Sequence, residues 1–111
     1  MKQNAKTIKP CMPEKEYTQF LSSEDKLRIR LVTKNGKVVF FVVQYYALVG
    51  DRWRTIMRAD NCHKTAHLHT YHLQSKEFKV QLNKENNKAF NEARDHILKD
   101  YLKIKENFLY T

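Results

Sequence analysis

Two hydrophobic periods divide the chain. From residue 26 to about residue 82, apolar and polar side chains alternate, which is the spacing of strands that bury one face. From residue 86 to residue 110, apolar side chains recur every three or four positions, as in an amphipathic helix. These periods predict a single α+β domain over residues 1–111. It is an antiparallel β-meander of four to five strands with one long C-terminal helix packed on one face.

Three stretches predict the meander. The first is KLRIRLV, which alternates and places Arg28 and Arg30 on the face opposite its aliphatic residues. Asn35 and Gly36 follow, a dipeptide that favours a tight hairpin because both residues tolerate positive φ. The return stretch is KVVFFVVQYYALV, whose first half is apolar on both faces, as expected of a central strand. A second tight turn, GDR, then leads into WRTIMRAD.

Alternation also divides the later side chains between two faces. It predicts that Trp53 and Met57 share one face of the third strand, over the core with Ala66 and Leu68 of the fourth strand, TAHLHTYHL. The opposite face is then predicted to carry six polar or aromatic side chains: Arg54, Arg58, Asp60, His67, His69 and Tyr71.

The two ends of the chain are predicted separately. Residues 1–16, with two prolines, are expected to form a mobile N-terminal arm, so that the sheet spans residues 26–82. KEFKVQL is expected to add a short edge strand. Asn83 or Asn86 is expected to cap the helix over residues 86–110. The apolar stripe of that helix is Phe90, Ala93, Ile97, Tyr101, Ile104 and Phe108.

Net charge indicates what this fold could bind. The chain carries +9, and residues 26–60 account for +6 of it. Such a surface attracts polyanions, chiefly nucleic acid or an acidic protein, although it could also serve only as a solubilising surface. No apolar run approaches the roughly 20 residues of a membrane span, and MKQNAKTIKP lacks the apolar core of a secretory signal. With two cysteines, Cys11 and Cys62, we expect free thiols in a cytoplasmic protein.

Residues 58–72, RADNCHKTAHLHTYH, hold four of the five histidines. His67 and His69 are two positions apart in a predicted strand, so their Cα atoms would lie about 7 Å apart on one face. Unperturbed imidazole titrates at about pH 6.5, so one histidine could act as general base and another as general acid in cleaving an RNA phosphodiester. Arg58 or Arg54 would stabilise the phosphorane charge. This chemistry needs no metal.

Other interpretations of the cluster stay open. Asp60, His63, His67 and His69 could bind a divalent transition metal with Cys62 as a further ligand, although the histidine spacing matches neither a zinc finger nor an HExxH helix. Asp60 could instead orient a histidine or pair with Arg58 in a structural network. A histidine-rich strand could also be a solvated face or a partner interface.

The pattern W-x4-R-x-D-N-x-H, followed by H-x-H, resembles the signature of small TumE-type toxins and related uncharacterised families. The layout is similar over roughly residues 26–110, and the motif covers residues 53–69. The matching positions are Arg58, Asp60, Asn61, His63, His67 and His69. The resemblance implies a toxin of a bacterial or archaeal toxin–antitoxin pair, with an antitoxin protein as partner and an activity on RNA or another nucleic acid.

The sequence therefore predicts a small basic protein that binds and cleaves RNA without a cofactor. The catalytic set would be Arg58, Asp60, His63, His67 and His69. The nucleic-acid-binding set would be Arg28, Arg30, Arg52, Arg54 and Tyr71, with Tyr71 stacking on a base. Tyr45 and Tyr46 are expected in the core or at its rim. The alternative is a non-enzymatic nucleic-acid-binding or protein-binding module, such as a regulatory or virus-encoded adaptor. The oligomeric state stays open.

Overall fold

The computed structural model describes residues 13–63, 65–72 and 78–110, with the side chains of all of them except His63 and Phe78. The elements, in chain order, are β1 (Glu14–Ser22), β2 (Asp25–Lys34), β3 (Lys37–Val49), β4 (Arg52–His63), β5 (Thr65–Thr70), β6 (Phe78–Gln81) and α1 (Asn86–Tyr110). Each strand pairs antiparallel with the next in sequence, so the six strands form one meander in the order β1 to β6. The α+β prediction is confirmed.

The predicted strand count of four to five is wrong because β1 was assigned in part to the N-terminal arm. Residues 14–16 belong to β1, which pairs with β2 along its length. This strand is exposed at every position except Leu21, so its sequence carries no alternation of apolar and polar residues. Charged side chains are common on edge strands, where they discourage pairing with other chains. Residues 1–12 of the predicted arm lie outside the described residues.

The two predicted turns are confirmed. Asn35 and Gly36 adopt positive φ angles of 52° and 76° between Lys34 and Lys37, which pair with each other at the end of β2 and β3. Two consecutive positive φ angles define a turn whose twist matches that of the flanking strands. Gly50 has a φ of 66° in the second turn. The KEFKVQL stretch contributes β6 at the far edge of the sheet, also as predicted.

The helix has the predicted bounds and packs mainly against β3 and β4. Five of the six residues of the predicted stripe are buried, and the sixth, Tyr101, is half-buried. Of the two capping candidates, Asn83 accepts a hydrogen bond from the N–H of Glu85, 2.9 Å away and just ahead of the helix. Asn87 accepts a hydrogen bond of 2.8 Å from the N–H of Val38, which ties the start of α1 to β3.

A buried carboxylate ties the other half of the helix to the sheet. Asp25 is 2% exposed and accepts hydrogen bonds from Ser22 Oγ and Tyr45 Oη, both 2.6 Å. Its Oδ1 lies 3.1 Å from Lys105 Nζ of α1. Burial opposes the charge, but the bonds from Ser22, Tyr45 and Lys105 outweigh it and lower the pKa of Asp25. Burial, together with this carboxylate, raises the pKa of Tyr45.

A β-bulge at Ile56 reverses the faces of the first half of β4. Tyr45 pairs with Met57 and Tyr46 with Thr55, so Ile56 is an extra residue on β4. Its carbonyl accepts a hydrogen bond of 3.1 Å from the N–H of Tyr71. The prediction that Trp53 shares a face with Met57 is therefore wrong. Within the described residues, α1 is not apolar enough to cross a membrane.

Candidate functional site

The sheet face turned away from α1, here called the open face, is arranged in rows that run across the strands. The pairing registers define three of them. The first row is Phe20, Lys26, Tyr46 and Thr55. The second row is Thr18, Arg28, Gln44, Arg58, His69 and Lys79. The third row is Glu16, Arg30, Val42, Asp60, His67 and Gln81. The structure thus brings both predicted histidines together with Arg58 and Asp60.

A groove of about 440 Å³ runs over the open face of β1 to β4. It is lined by Glu16, Thr18, Lys26, Arg28, Arg30, Val42, Gln44, Tyr46, Trp53 and Arg58. Four of these side chains are cationic, two are aromatic and one is acidic. Arg58 lies at the boundary of this groove, since its partner on the next strand is His69. The groove therefore ends beside the histidine pair.

The predicted pairing of Arg58 with Asp60 is present. Arg58 Nε donates to Asp60 Oδ2 at 2.8 Å, and the N–H of Cys62 donates to Asp60 Oδ1 at 3.1 Å. Burial opposes the charge of Asp60, but these two donors outweigh it and lower its pKa. Burial and the neighbouring Asp60 raise the pKa of the Cys62 thiol. The Asp60 carboxylate therefore fixes both the Arg58 side chain and the backbone at Cys62, near the end of β4.

Within the R-x-D-N-x-H motif, the side chain of Asn61 has a structural role. Its Oδ1 accepts a hydrogen bond of 3.0 Å from the N–H of Phe41, and its Nδ2 donates to the carbonyl of Val39 at 3.1 Å. The β3–β4 ladder reaches only to Val42 and Asp60, so the side-chain amide continues the pairing of β3 where the β4 backbone has left it. The Asp-Asn pair of the motif thus shapes the end of β4.

The histidines differ in their surroundings. His67 Nδ1 lies 3.2 Å from the carbonyl of Thr65, and since a carbonyl only accepts, Nδ1 carries the proton of this bond. In neutral His67 the lone pair is then on Nε2. His69 stacks on Tyr71, with ring centroids 6.4 Å apart and planes inclined by 11°. The backbone of His63 ends β4, opposite Thr65, but its side chain lies outside the described part of the chain.

The metal interpretation was built on Asp60, His63, His67 and His69. Among the described side chains, no group of three or more histidine, cysteine, aspartate or glutamate residues is placed to hold a metal ion. A fit to a metal would therefore need the side chain of His63, which is not described.

Two of the predicted binding cations, Arg28 and Arg30, lie on the open face, and each forms an exposed ion pair with a glutamate. Arg28 contacts Glu16 at 2.7 Å and Arg30 contacts Glu14 at 2.6 Å, and each of these side chains is close to half exposed. The hydrogen bond from Arg28 lowers the pKa of Glu16. Exposed ion pairs of this kind contribute little net stability, because water screens the attraction. A phosphate could therefore replace the glutamates at small cost.

The other two predicted cations are on the opposite face. Arg52 pairs with Val49 and Arg54 with Ala47, both on the helix-covered face of β3, and the Arg54 guanidinium lies 6.0 Å from the Phe108 ring centroid of α1. The prediction that Arg54 projects beside Arg58 is wrong. The bulge at Ile56 is the physical reason, because one inserted residue reverses every side chain on its far side.

Sequence reasoning missed an aromatic cluster at the first row. Lys26 Nζ lies 4.1 Å from the ring centroid of Trp53, 5.7 Å from that of Tyr46 and 5.8 Å from that of Phe20. Phe20 and Trp53 meet edge to face at 6.3 Å. Phe20 lies on β1, which carries no alternation that identifies it as a strand, and strict alternation places Trp53 in the core because it does not include the bulge at Ile56. Tyr45 is fully buried in the core, as predicted, whereas Tyr46 is half-buried on the open face, so the prediction of a core or rim position is wrong for Tyr46.

These features define a small α+β protein with one helix-covered sheet face and one basic, aromatic open face. The chain belongs to the family described as "Domain of unknown function (DUF7718)", whose model matches residues 12–111. No curated protein and no solved structure shows significant similarity to the chain. The resemblance to TumE-type toxins stays a prediction.

Proposed function

We propose that the protein binds single-stranded RNA along its open face and cleaves it with His67 and His69. The observation that supports this most directly is the strand register. It places Arg58 opposite His69 and Asp60 opposite His67, on the face that α1 leaves uncovered and at the end of a cationic groove. Proton-transfer groups, a phosphate-binding cation and a binding groove would then be continuous on one surface.

The groove suits a flexible polyanion. Arg28 and Arg30 both lie on β2, and Arg58 lies two strands away on β4, in the same row as Arg28. Strand spacing puts Arg28 and Arg58 roughly 10 Å apart across the sheet. Phosphates would replace Glu16 and Glu14 on the two arginines of β2. The groove is an open surface of the sheet, which favours unpaired strands whose bases can contact side chains.

His67 is suited to the general-base role. With Nδ1–H donating to Thr65, its Nε2 can take the proton from a ribose 2′-hydroxyl. The 2′-oxygen then forms a bond to phosphorus, and the bond from phosphorus to the 5′-oxygen breaks. His69 donates a proton to that leaving oxygen, and Arg58 stabilises the negative charge on the pentacoordinate phosphorus. The products are a 2′,3′-cyclic phosphate and a 5′-hydroxyl.

Asp60 would act through Arg58. Its Oδ2 accepts the Nε–H of Arg58, which fixes the guanidinium plane so that a terminal nitrogen of Arg58 can donate to a phosphate. This differs from the predicted role of orienting a histidine. The R-x-D-N portion of the motif would then build the strand end, and the H-x-H portion would supply the chemistry.

The toxin role and the antitoxin partner are part of the same proposal and rest on the resemblance carried by the R-x-D-N-x-H and H-x-H motifs. An antitoxin that blocks activity would cover the open face. Its binding surface would be acidic, since it would have to replace phosphate on Arg28, Arg30 and Arg58.

One observation favours a second candidate, binding without cleavage. The groove is lined by residues of β1 to β4, and the histidines of β5 lie beyond it. A regulatory nucleic-acid binder would need the groove alone. Substituting both histidines would then change affinity only modestly and remove no activity.

A matched pair of double variants tests the binding surface. Arg28→Gln with Arg30→Gln removes two positive charges from the open face, and Arg52→Gln with Arg54→Gln removes two from the helix-covered face. We expect only the first pair to weaken binding of a single-stranded oligonucleotide, with the slope of log K against log salt falling by roughly 1 to 2. Fluorescence anisotropy over a salt series measures this.

Equal losses in both double variants would contradict the proposed surface. They would indicate that the oligonucleotide responds to net charge and not to the open face. Circular dichroism of both variants controls for folding.

A further inference from the structure

The aromatic cluster of the open face is built around a lysine of the same chain. Phe20, Tyr46 and Trp53 come from β1, β3 and β4, and Lys26 of β2 stands among them. The ammonium group sits closest to Trp53, 4.1 Å from its ring centroid. Trp53 reaches this position although its backbone partner is Leu48, two residue pairs beyond the pair of Tyr46 and Thr55. The ring therefore leans back over the first row.

These rings are not part of the core. Phe20 is 61% exposed and Trp53 is 37% exposed, while the buried side chains lie on the other face under α1. An exposed group of large aromatic side chains on one surface commonly marks a binding site. The Trp53 ring face can also become accessible, because the Lys26 side chain is flexible and can move away from it without disturbing the backbone.

We infer that the Trp53 face now covered by Lys26 is a nucleobase-stacking subsite, with Phe20 and Tyr46 as its walls. A base would slide onto the Trp53 ring and displace the ammonium group, which would then pair with the phosphate of the same nucleotide. This subsite rests on the proposed binding of single-stranded RNA and specifies how the strand is held.

Charge and shape support this occupant. The subsite lines the same groove as Arg28, Arg30 and Arg58, so a stacked base has cations on one side for its backbone. Base–aromatic stacking is tolerant of sequence because every base has a π-face. A duplex keeps its bases stacked on one another and cannot offer them to Trp53.

The subsite also has a defined distance from the histidine pair. Tyr46 and His69 are two strands and one row apart on the open face. Strand spacing and rise put their Cα atoms roughly 12 Å apart. A stacked base would therefore fix the register of the strand, and cleavage would fall a few nucleotides along from it.

Trp53 is the single tryptophan of the chain, so it reports its own occupancy. We expect a single-stranded RNA oligomer to quench Trp53 emission as it binds. An oligomer of the same length and charge that lacks bases should bind through the arginines without this quenching. Single-stranded DNA should quench as RNA does, because stacking does not involve the 2′-hydroxyl.

A variant with a matched control measures the contribution of stacking. Trp53→Ala should weaken binding of single-stranded RNA by roughly 5- to 150-fold, and Trp53→Phe should retain most of the affinity. Neither should change binding of the base-free oligomer. Tyr110→Ala, which removes an aromatic ring that is 81% exposed at the end of α1, should change neither affinity.

The outcomes separate this inference from the proposed function. RNA that binds without quenching, and as tightly to Trp53→Ala as to the wild type, overturns the subsite and leaves RNA binding by the open face intact. Equal quenching by the base-free oligomer also overturns it. If no oligonucleotide binds at all, the proposed function fails and the subsite fails with it.

Discussion

Replacing Asp25 with alanine is expected to reduce the free energy of unfolding by about 3 kcal/mol, the low end for breaking a buried ion pair. The carboxylate is 2% exposed and joins Tyr45 of β3 to Lys105 of α1, so its loss leaves both partners without a charge-assisted bond. Because the Lys105 side chain is 18% exposed, it can turn towards water and limit the loss. Urea unfolding followed by circular dichroism measures this.

Asp51 provides the control, since it is an exposed aspartate in the turn before β4. Asp51→Ala should change the free energy of unfolding by no more than about 0.5 kcal/mol. If Asp25→Ala destabilises the protein no more than Asp51→Ala, the network does not tie the helix to the sheet.

The pH dependence follows from the same carboxylate. The folded protein lowers the pKa of Asp25 below its ordinary value of 3.8. Its contribution to stability is therefore fully present above the unfolded-state value and is lost as the pH falls through the folded-state pKa. Wild-type stability should fall as the pH drops below about 4, and Asp25→Asn should show a shallower fall there.

Substituting His69 with alanine is expected to reduce the rate of RNA cleavage by 100-fold or more while leaving RNA affinity nearly unchanged. General acid–base groups typically contribute about 10²–10⁴-fold to a rate. His69 is half-buried and is not part of the core cluster, so its removal should leave the core intact. Single-turnover cleavage of a labelled oligoribonucleotide measures the rate, and anisotropy measures the affinity.

His96 is the control histidine, because it is exposed on α1 and pairs with Asp100 at 3.5 Å, away from the open face. His96→Ala should cleave at the wild-type rate. Full activity of His69→Ala would remove the catalytic assignment, and an equal loss in His96→Ala would point to a general effect on folding.

The sequence predicted what depends on local patterns. The helix has the predicted bounds of residues 86–110 because apolar residues recur every three or four positions from Phe90 to Phe108. The turn at Asn35 and Gly36 followed from their tolerance of positive φ. The grouping of Arg58 and Asp60 with both histidines followed from alternation, since no bulge falls between Arg58 and Asp60.

What the sequence did not predict depends on pairing between distant residues. The bulge at Ile56 leaves no signal in WRTIMRAD, because Ile56 is apolar and either face would accept it. β1 is exposed and polar, so only its partner strand identifies it as a strand. Predicting the aromatic cluster would require knowing both the strand β1, which carries Phe20, and the bulge, which turns Trp53 to the open face.

The most direct test of the central claim uses a DNA oligonucleotide that carries a single ribonucleotide between randomised flanks, with a chelator present. Cleavage through the 2′-oxygen by His67 and His69 requires a ribose but no metal. We expect one cut, 3′ of the ribonucleotide, leaving a 2′,3′-cyclic phosphate, and no cut with the His67→Ala, His69→Ala double variant. An oligonucleotide that binds the wild-type protein but stays intact would contradict RNA cleavage by the open face.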